Sequence, residues 1–281
     1  MSIKDITIVI ASFKSEKKIK DCLNSIGREF KILVVENSNN SQFKTNIEKE
    51  FSNVECILTG ENLGYGRANN IGLKRVKTKY VLILNPDTKL DPSAINNFFK
   101  AITQVKEFAI MSPYIQEKRD FQLSQNLKNS YPISTKNVKG FAMFLNLSQF
   151  NNIGFFDENF FFYFEEIDLC KRLVDSGKKI YLLPEVKIYH DGAQSHDASL
   201  NKEMELSRNW HWMWSTFYYH KKHKNFLLSF IIIFPKLSSA FIKVIIYSIF
   251  LKKNKKEVYY HRLSGLINAI LGKSSWFRPK V

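Results

Sequence analysis

The apolar positions of the first hundred residues change period repeatedly, and the changes mark alternating strands and helices. Ile6-Thr7-Ile8-Val9-Ile10-Ala11 is a β-branched run without polar alternation, the pattern of a strand buried on both faces of a parallel sheet. Ser15 to Ile26 then places Ile19, Cys22, Leu23 and Ile26 on one helical face. Ile32–Val35 predicts a second strand, Gln42–Phe51 a short helix, Val54–Leu58 a third strand, the stretch up to Arg75 a helix, and Tyr80–Leu84 a fourth strand. Asp91-Pro92 predicts another helix start, with Asp91 as N-cap and Pro92 in the first helical position. This order predicts βαβ units and an α/β fold with a doubly wound, mostly parallel sheet flanked by helices. Ligands of such sheets bind beyond the carboxyl ends of the strands. The polar clusters Ser12–Lys14, Glu36–Asn40, Glu61–Gly66 and Asn85–Asp87 each follow a strand, so they are expected on one rim.

After Phe108 the alternation weakens. Residues 118–137 are polar and predict a lid or acceptor-side flap, and Lys139–Leu145 predicts a returning strand. Phe161-Phe162-Tyr163-Phe164 leads into Glu165-Glu166-Ile167-Asp168, where apolar positions at helical spacing predict a helix from Glu165 to Asp175, closed by Ser176-Gly177. In its first turn the helix dipole favours ionised carboxylates, and an ionised carboxylate behind an aromatic wall can act as a general base. Acids at a helix start also serve simply to complement the dipole. Lys179–Leu183 and Val186–His190 predict short strands, and Asn201–Lys224 one long aromatic helix. Phe226–Leu251 is strongly apolar, but Pro235, Lys236 and Lys243 interrupt it, so the expectation is a pair of interfacial or re-entrant helices.

The charge is one-sided. The net charge of +16 includes +12 from residues 201–281, with 15 Lys/Arg against 3 acids, and only +4 from residues 1–200. An anionic surface beside the C-terminal piece is therefore expected, such as lipid head groups. This divides the chain into a catalytic domain at 1–200 and a basic, aromatic, apolar helical extension at 201–281 that associates with membranes. The three scattered cysteines, Cys22, Cys56 and Cys170, suggest a reducing compartment and neither a disulfide framework nor a zinc site. The N-terminus has no long apolar signal segment, which places the expected location at the cytoplasmic face of a membrane. A nucleic-acid partner is not expected, because no DNA- or RNA-binding signature accompanies the basic tail.

Asn85-Pro86-Asp87 at a strand end puts a carboxylate where it could hold a hard divalent cation bridging phosphate oxygens, though the tripeptide is also ordinary turn chemistry. Asn62-Leu63-Gly64-Tyr65-Gly66 lacks the GxGxxG spacing of a dinucleotide loop. His190 alone is open between a structural role and a ligand role. In order, these segments together with Gly154-Phe155-Phe156-Asp157-Glu158 and Tyr163–Leu169 resemble the family 2 glycosyltransferases with a GT-A fold, in their rhamnosyltransferase-like branch. The resemblance covers roughly residues 5–192. It implies an inverting, metal-dependent transferase moving a sugar from a nucleotide-diphosphate donor to a hydroxyl of a saccharide acceptor, lipid-linked, in bacterial surface polysaccharide synthesis such as O-antigen. It further implies Glu166 as catalytic base, with Asp157 and Glu165 on the acceptor side. Ser12, Glu36, Asn62, Gly64, Asn70, Asn85 and Asp87 would contact the donor, and Asp87 with His190 would hold Mg²⁺ or Mn²⁺. The chain departs from the family pattern where Glu36 and Glu166 replace the usual Asp and Lys14 the usual Asn. Competing classes are a nucleotidyltransferase and a non-enzymatic protein binding a membrane surface or nucleic acid.

Overall fold

The computed structural model describes residues 3–105, 107–114, 131–190 and 201–279. By internal contacts the chain forms two units. The first comprises Met1–Leu63, Arg67–Phe156 and Leu169–His196; the second comprises Gly64–Gly66, Asp157–Asp168 and Asp197–Val281. The division is thus not a single point in the sequence, because the segment ahead of and including Glu165-Glu166 groups with the C-terminal helices.

In the first unit, β1 (Ile6–Ser12), β2 (Lys31–Glu36), β3 (Val54–Leu58) and β4 (Tyr80–Leu84) are linked by α1 (Glu16–Ile26), α2 (Ser41–Glu50) and α3 (Tyr65–Arg75). Next come β5 (Thr88–Leu90), α4 (Ala94–Gln104), β6 (Ile110–Pro113), β7 (Ile133–Thr135), β8 (Ala142–Asn146), α5 (Glu165–Asp175, which belongs to this unit from Leu169 on), β9 (Ile180–Leu183) and β10 (Ile188–His190). The main sheet has the order β3-β2-β1-β4-β8-β6-β9-β7, and β5 pairs separately with β10. β3, β2, β1 and β4 are mutually parallel, with Ser12 opposite Glu36 at the last step of the β1–β2 register. β8 runs antiparallel to β4 and β6. Ile8, Val9, Ile10, Val34, Leu82, Ile83 and Leu84 have no exposed surface, which is why these strands read as unbroken apolar runs. Gly72 lets α3 lie against the sheet: a Cβ there would come within 2.6 Å of Val9 Cγ1.

Three expectations are corrected here. The fourth helix begins at Ala94, not Asp91. The Asp91 carboxylate instead accepts hydrogen bonds from Ser93 N (3.0 Å) and Ser93 Oγ (2.7 Å), closing a turn before the helix. Within the predicted polar flap, residues 118–130 lie outside the described residues, whereas Ile133–Thr135 is a strand pairing with β9. The apolar tail is one continuous helix rather than a pair.

The second unit is built on α6 (Asn201–His223), α7 (Phe226–Ile249) and α8 (Lys253–Ile270). Trp210, Met213, Trp214, Phe217, Ile233, Ala240, Leu266 and Ala269 form its core together with Phe160. Gly265 permits the close crossing of α6 and α8, since a Cβ there would meet the Trp210 carbonyl oxygen at 2.3 Å. Pro235 lies inside α7 without ending it. At 24 residues α7 is long and apolar enough to cross a membrane by length and composition, and only 17% of its most apolar window is buried.

Candidate active site

The parallel order of the first four strands brings their carboxyl ends to one edge of the first unit. Ser12 closes β1 and Glu36 closes β2, both buried. Burial pushes the Glu36 carboxyl above the ordinary carboxylate range; the Ser38 and Ser12 hydroxyls and Lys14 pull it back, and Glu16 adds to the rise. Ser38 Oγ donates to Glu36 Oε1 at 2.5 Å. The neighbouring Asn37 organises the loop after β3: its Nδ2 donates to Asn62 Oδ1 (3.0 Å), and its Oδ1 accepts from Leu63 N (2.9 Å). Asn37 was not among the expected site residues. Its position beside Glu36 at a strand end was the available signal.

The turn after β4 is held by Asn85, whose carbonyl accepts from Thr88 N (3.2 Å) and Thr88 Oγ1 (2.7 Å). The β5–β10 pairing sets His190 opposite Thr88 and so returns the imidazole to this turn. His190 Nε2 lies 3.3 Å from Asp87 Oδ1 and 3.4 Å from Asn85 Nδ2, and its ring stacks on Phe141 at 4.9 Å. Asp87 Oδ1 is buried and makes no hydrogen bond among the described residues. A buried carboxylate oxygen without a hydrogen bond, beside an imidazole nitrogen, suits a pair of ligands awaiting a shared cation. Among the described residues no three His, Cys, Asp or Glu side chains form a ready cage. Two protein ligands fit a hard divalent ion that completes its shell with phosphate oxygens and water.

Asn70 and Gly64 have local structural duties. Asn70 Nδ2 donates to the Phe156 carbonyl (2.9 Å), and its Oδ1 accepts from Phe156 N (3.1 Å). In the second unit, Gly64 has φ +83°, and a Cβ there would come within 2.2 Å of the Phe161 carbonyl oxygen. Tyr65 N donates to that same carbonyl at 3.2 Å.

The acid-bearing segment belongs to the second unit as far as Asp168. Tyr163 and Phe164 both take left-handed backbone conformations, φ 69° and 72°, which aromatic residues rarely adopt. Packing holds them there: Tyr163 meets the Trp212 ring edge-on at 5.3 Å, and Phe164 packs against Trp212 and Tyr219 at 5.4 and 5.2 Å. That double turn starts α5 at Glu165. Burial, with Glu166 adding repulsion, carries the Glu165 carboxyl well above its ordinary range, and Glu165 Oε2 has no hydrogen-bond partner among the described residues. Burial also raises Glu166, opposed by the backbone N–H groups of Glu166 and Ile167. The helix start favours the ionised forms, as expected, but it does not set the direction of the shift. The N–H groups pull toward ionisation, but lost hydration outweighs them.

Helix α6 supplies groups that sequence reasoning missed. Lys222 Nζ lies 2.7 Å from Asp157 Oδ2 and 2.7 Å from Asp168 Oδ1, and His223 Nε2 lies 2.8 Å from the same Asp168 oxygen. Tyr218 OH donates to Asp157 Oδ2 at 3.1 Å. Burial alone would raise the Asp157 carboxyl, but the Lys222 ammonium and the N–H groups of Asn159 hold it below its ordinary value. Lys222 thus ties together the two ends of the segment carrying Glu165 and Glu166. Lys222→Met is expected to destabilise this unit by roughly 1–3 kcal/mol, by depriving two buried or largely buried carboxylates of the ammonium they share. Lys222→Arg should restore most of the loss. All four tryptophans (Trp210, Trp212, Trp214 and Trp276) lie in this unit, so urea unfolding followed by tryptophan fluorescence checks the effect directly.

Comparison with known proteins agrees with this geometry. Residues 7–170 match the model for the family described as glycosyl transferase family 2. The chain is 28% identical over 190 residues to the low-salt glycan biosynthesis hexosyltransferase Agl10 of Haloferax volcanii; the match covers 60% of this chain and spans less than two thirds, 61%, of that protein. It is 27% identical over 251 residues to rhamnosyltransferase WbbL of Escherichia coli K12, covering 75% of this chain and 91% of that one. Among solved structures, the mannosyltransferase PcManGT of Pyrobaculum calidifontis, in complex with GDP-Man and Mn²⁺, superimposes with a TM-score of 0.61 at 12% identity, covering 96% of this chain and 88% of that one. This last likeness is one of fold.

Proposed function

This chain belongs to glycosyl transferase family 2, and from that premise we propose that it transfers a sugar, with inversion, from a nucleotide-diphosphate donor to a hydroxyl of a lipid-linked saccharide. The observation that carries the reading is the carboxyl edge of β1–β4, where Ser12, Glu36, Asn62, Asn85 and Asp87 follow successive parallel strands, with His190 3.3 Å from Asp87. The names of the relatives support a hexosyl donor, rhamnose included, and the N-acetylglucosaminyl-diphospho-decaprenol L-rhamnosyltransferase of Mycobacterium tuberculosis, 21% identical over 210 residues, supports a lipid-linked acceptor.

In this reading Glu36 and Ser12 face the nucleoside, Asn62 and the loop fixed by Asn37 face the ribose and phosphates, and Asn70 and Gly64 act by holding backbone in place. Asp87 and His190 would hold Mg²⁺ or Mn²⁺. Such an ion, when bound, neutralises charge that grows on the departing diphosphate. Glu166 accepts the acceptor hydroxyl proton as that oxygen attacks the anomeric carbon. The bond from that carbon to the diphosphate oxygen breaks, and its electron pair leaves with the nucleoside diphosphate. Burial and the neighbouring Glu166 raise the Glu165 carboxyl well above its ordinary range, which favours Glu166 over Glu165 for the base role. Incubation of the full chain with nucleotide sugars, Mn²⁺ and a lipid-linked saccharide is expected to release nucleoside diphosphate. Release of inorganic pyrophosphate instead would favour a nucleotidyltransferase.

The apolar face of α7 supports a membrane-surface location. Leu227, Leu228, Ile231, Phe234, Phe241, Ile242, Ile245 and Ile249 are exposed on it, while Lys236 and Lys243 lie near mid-helix on the other side of α7, where the centre of a bilayer would penalise them. The full chain is expected to co-sediment with vesicles containing phosphatidylglycerol, and less so at high salt or with phosphatidylcholine alone. Failure to sediment with either would remove the membrane from the proposal.

A further inference from the structure

Helices α6, α7 and α8 border a half-open pocket of about 230 Å³ lined by Trp212 and Met213, by Pro235, Lys236, Ser239, Ala240 and Lys243 of α7, and by Tyr259 and Arg262. Three of the lining side chains, Lys236, Lys243 and Arg262, are cationic and none is acidic. Three like charges facing one small space repel one another and call for an anion among them. Their existing contacts leave that demand open. Lys243 Nζ donates to Tyr259 OH at 3.2 Å, and both Lys243 and Arg262 lie over the Tyr259 ring, at 4.8 and 5.4 Å from its centre. Arg262 Nε is buried and has no hydrogen-bond partner among the described residues. The Lys243 hydrogen bond, with Arg262 adding to it, holds the Tyr259 hydroxyl below its usual value, so the phenol too is tuned to a positive surrounding.

The size and the neighbourhood narrow the anion. At about 230 Å³ the pocket falls below the ~300–1,000 Å³ of sites that enclose whole small ligands, which fits a charged head rather than a sugar nucleotide. One wall is α7, and the exposed apolar face of that helix lies roughly a third of a turn around from this wall. A ligand with a phosphate head and a long hydrocarbon tail suits this neighbourhood: the phosphates meet the lysines and the arginine fork, and the tail passes around α7 toward its apolar face.

We propose that this pocket binds the diphosphate of the lipid-linked acceptor and so fixes the height of the acceptor above the membrane surface. The inference rests on the lipid-linked acceptor reading, and it places acceptor recognition partly outside the region matched by the family, residues 7–170. Arg262 supplies the planar fork, Lys243 a point charge steadied by Tyr259, and Lys236 a third, exposed cation from α7.

The test uses the full chain in EDTA, with farnesyl diphosphate and inorganic pyrophosphate as separate titrants in calorimetry. Farnesyl diphosphate is expected to bind, and Arg262→Gln and Lys243→Gln are each expected to weaken it roughly tenfold, as for loss of a charge-assisted hydrogen bond. Lys236→Gln lies at an exposed position, cannot upset packing, and should weaken binding in the same direction. No binding by the unaltered protein, or binding unchanged in all three variants, overturns the proposal. Equal affinity for inorganic pyrophosphate overturns its lipid part and leaves a site for free phosphates. Donor cleavage with water as acceptor, read as nucleoside diphosphate release, should be unchanged in the variants; its absence from the unaltered protein would count against the transferase reading and not against this pocket.

Discussion

Glu166→Gln is expected to lower turnover by roughly 10²–10⁴-fold, the usual contribution of a positioned general base. The change keeps the size of the side chain and its place in the first turn of α5, and removes only the ability to take a proton. Affinity for the nucleotide donor, measured by calorimetry, should survive, because the residues assigned to the donor follow β1–β4. The pH profile offers a second check. Burial raises the Glu166 carboxyl above its ordinary range, so the fraction of active, ionised base should fall on acidification at a higher pH than for a water-exposed glutamate. The acidic limb of kcat should be displaced upward accordingly. Near-normal turnover in the variant would move the base to Glu165 or Asp168.

Asp87→Ala is expected to abolish metal-dependent tightening of donor binding. In the unaltered protein a nucleoside diphosphate should bind more tightly with Mn²⁺ than in EDTA; in the variant the two affinities should converge. The reason is local. Asp87 Oδ1 is buried without a hydrogen bond among the described residues and lies 3.3 Å from His190 Nε2, so its removal deletes the one carboxylate of the pair. His190→Ala should give a smaller change, as it withdraws a neutral ligand and leaves the charge. Activity undiminished by EDTA in the unaltered protein would show that this pair does not serve a metal.

The two experiments bear on different units of the chain. Glu166 depends on a segment tied to the C-terminal helices through Lys222, Tyr218 and His223; Asp87 depends on the strand edge and on the β5–β10 pairing. A variant at Lys222 that lowers turnover and leaves donor affinity intact would join the stability effect to the chemistry.

Much of the first unit was legible in the sequence because its signals are local. Doubly buried strands need unbroken β-branched runs, and Ile6–Ala11, Ile32–Val35 and Tyr80–Leu84 supply them whatever surrounds them. The helix at Glu165–Asp175 and its glycine stop could be read for the same reason. The start of the fourth helix misled because Asp91-Pro92 satisfies the cap pattern equally well as a turn closed on Ser93. The three-residue strands β5 and β7 are too short to show a period.

The sequence by itself determined the alternation of strands and helices, the mostly parallel sheet and the rim that follows from it, the paired acids at a helix start and the basic, apolar character of the tail. Each is written in neighbouring residues, whose spacing or composition suffices. Only the tertiary structure decided the rest: that Asp87 meets His190, that Tyr163 and Phe164 are held left-handed by Trp212, that Lys222 bridges Asp157 and Asp168, and that the tail is one helix through Pro235. These outcomes turn on contacts between distant residues and on burial. Burial in particular raises the Glu165 and Glu166 carboxyls against the pull of the helix start, because the loss of water around a carboxylate outweighs a few aligned N–H groups.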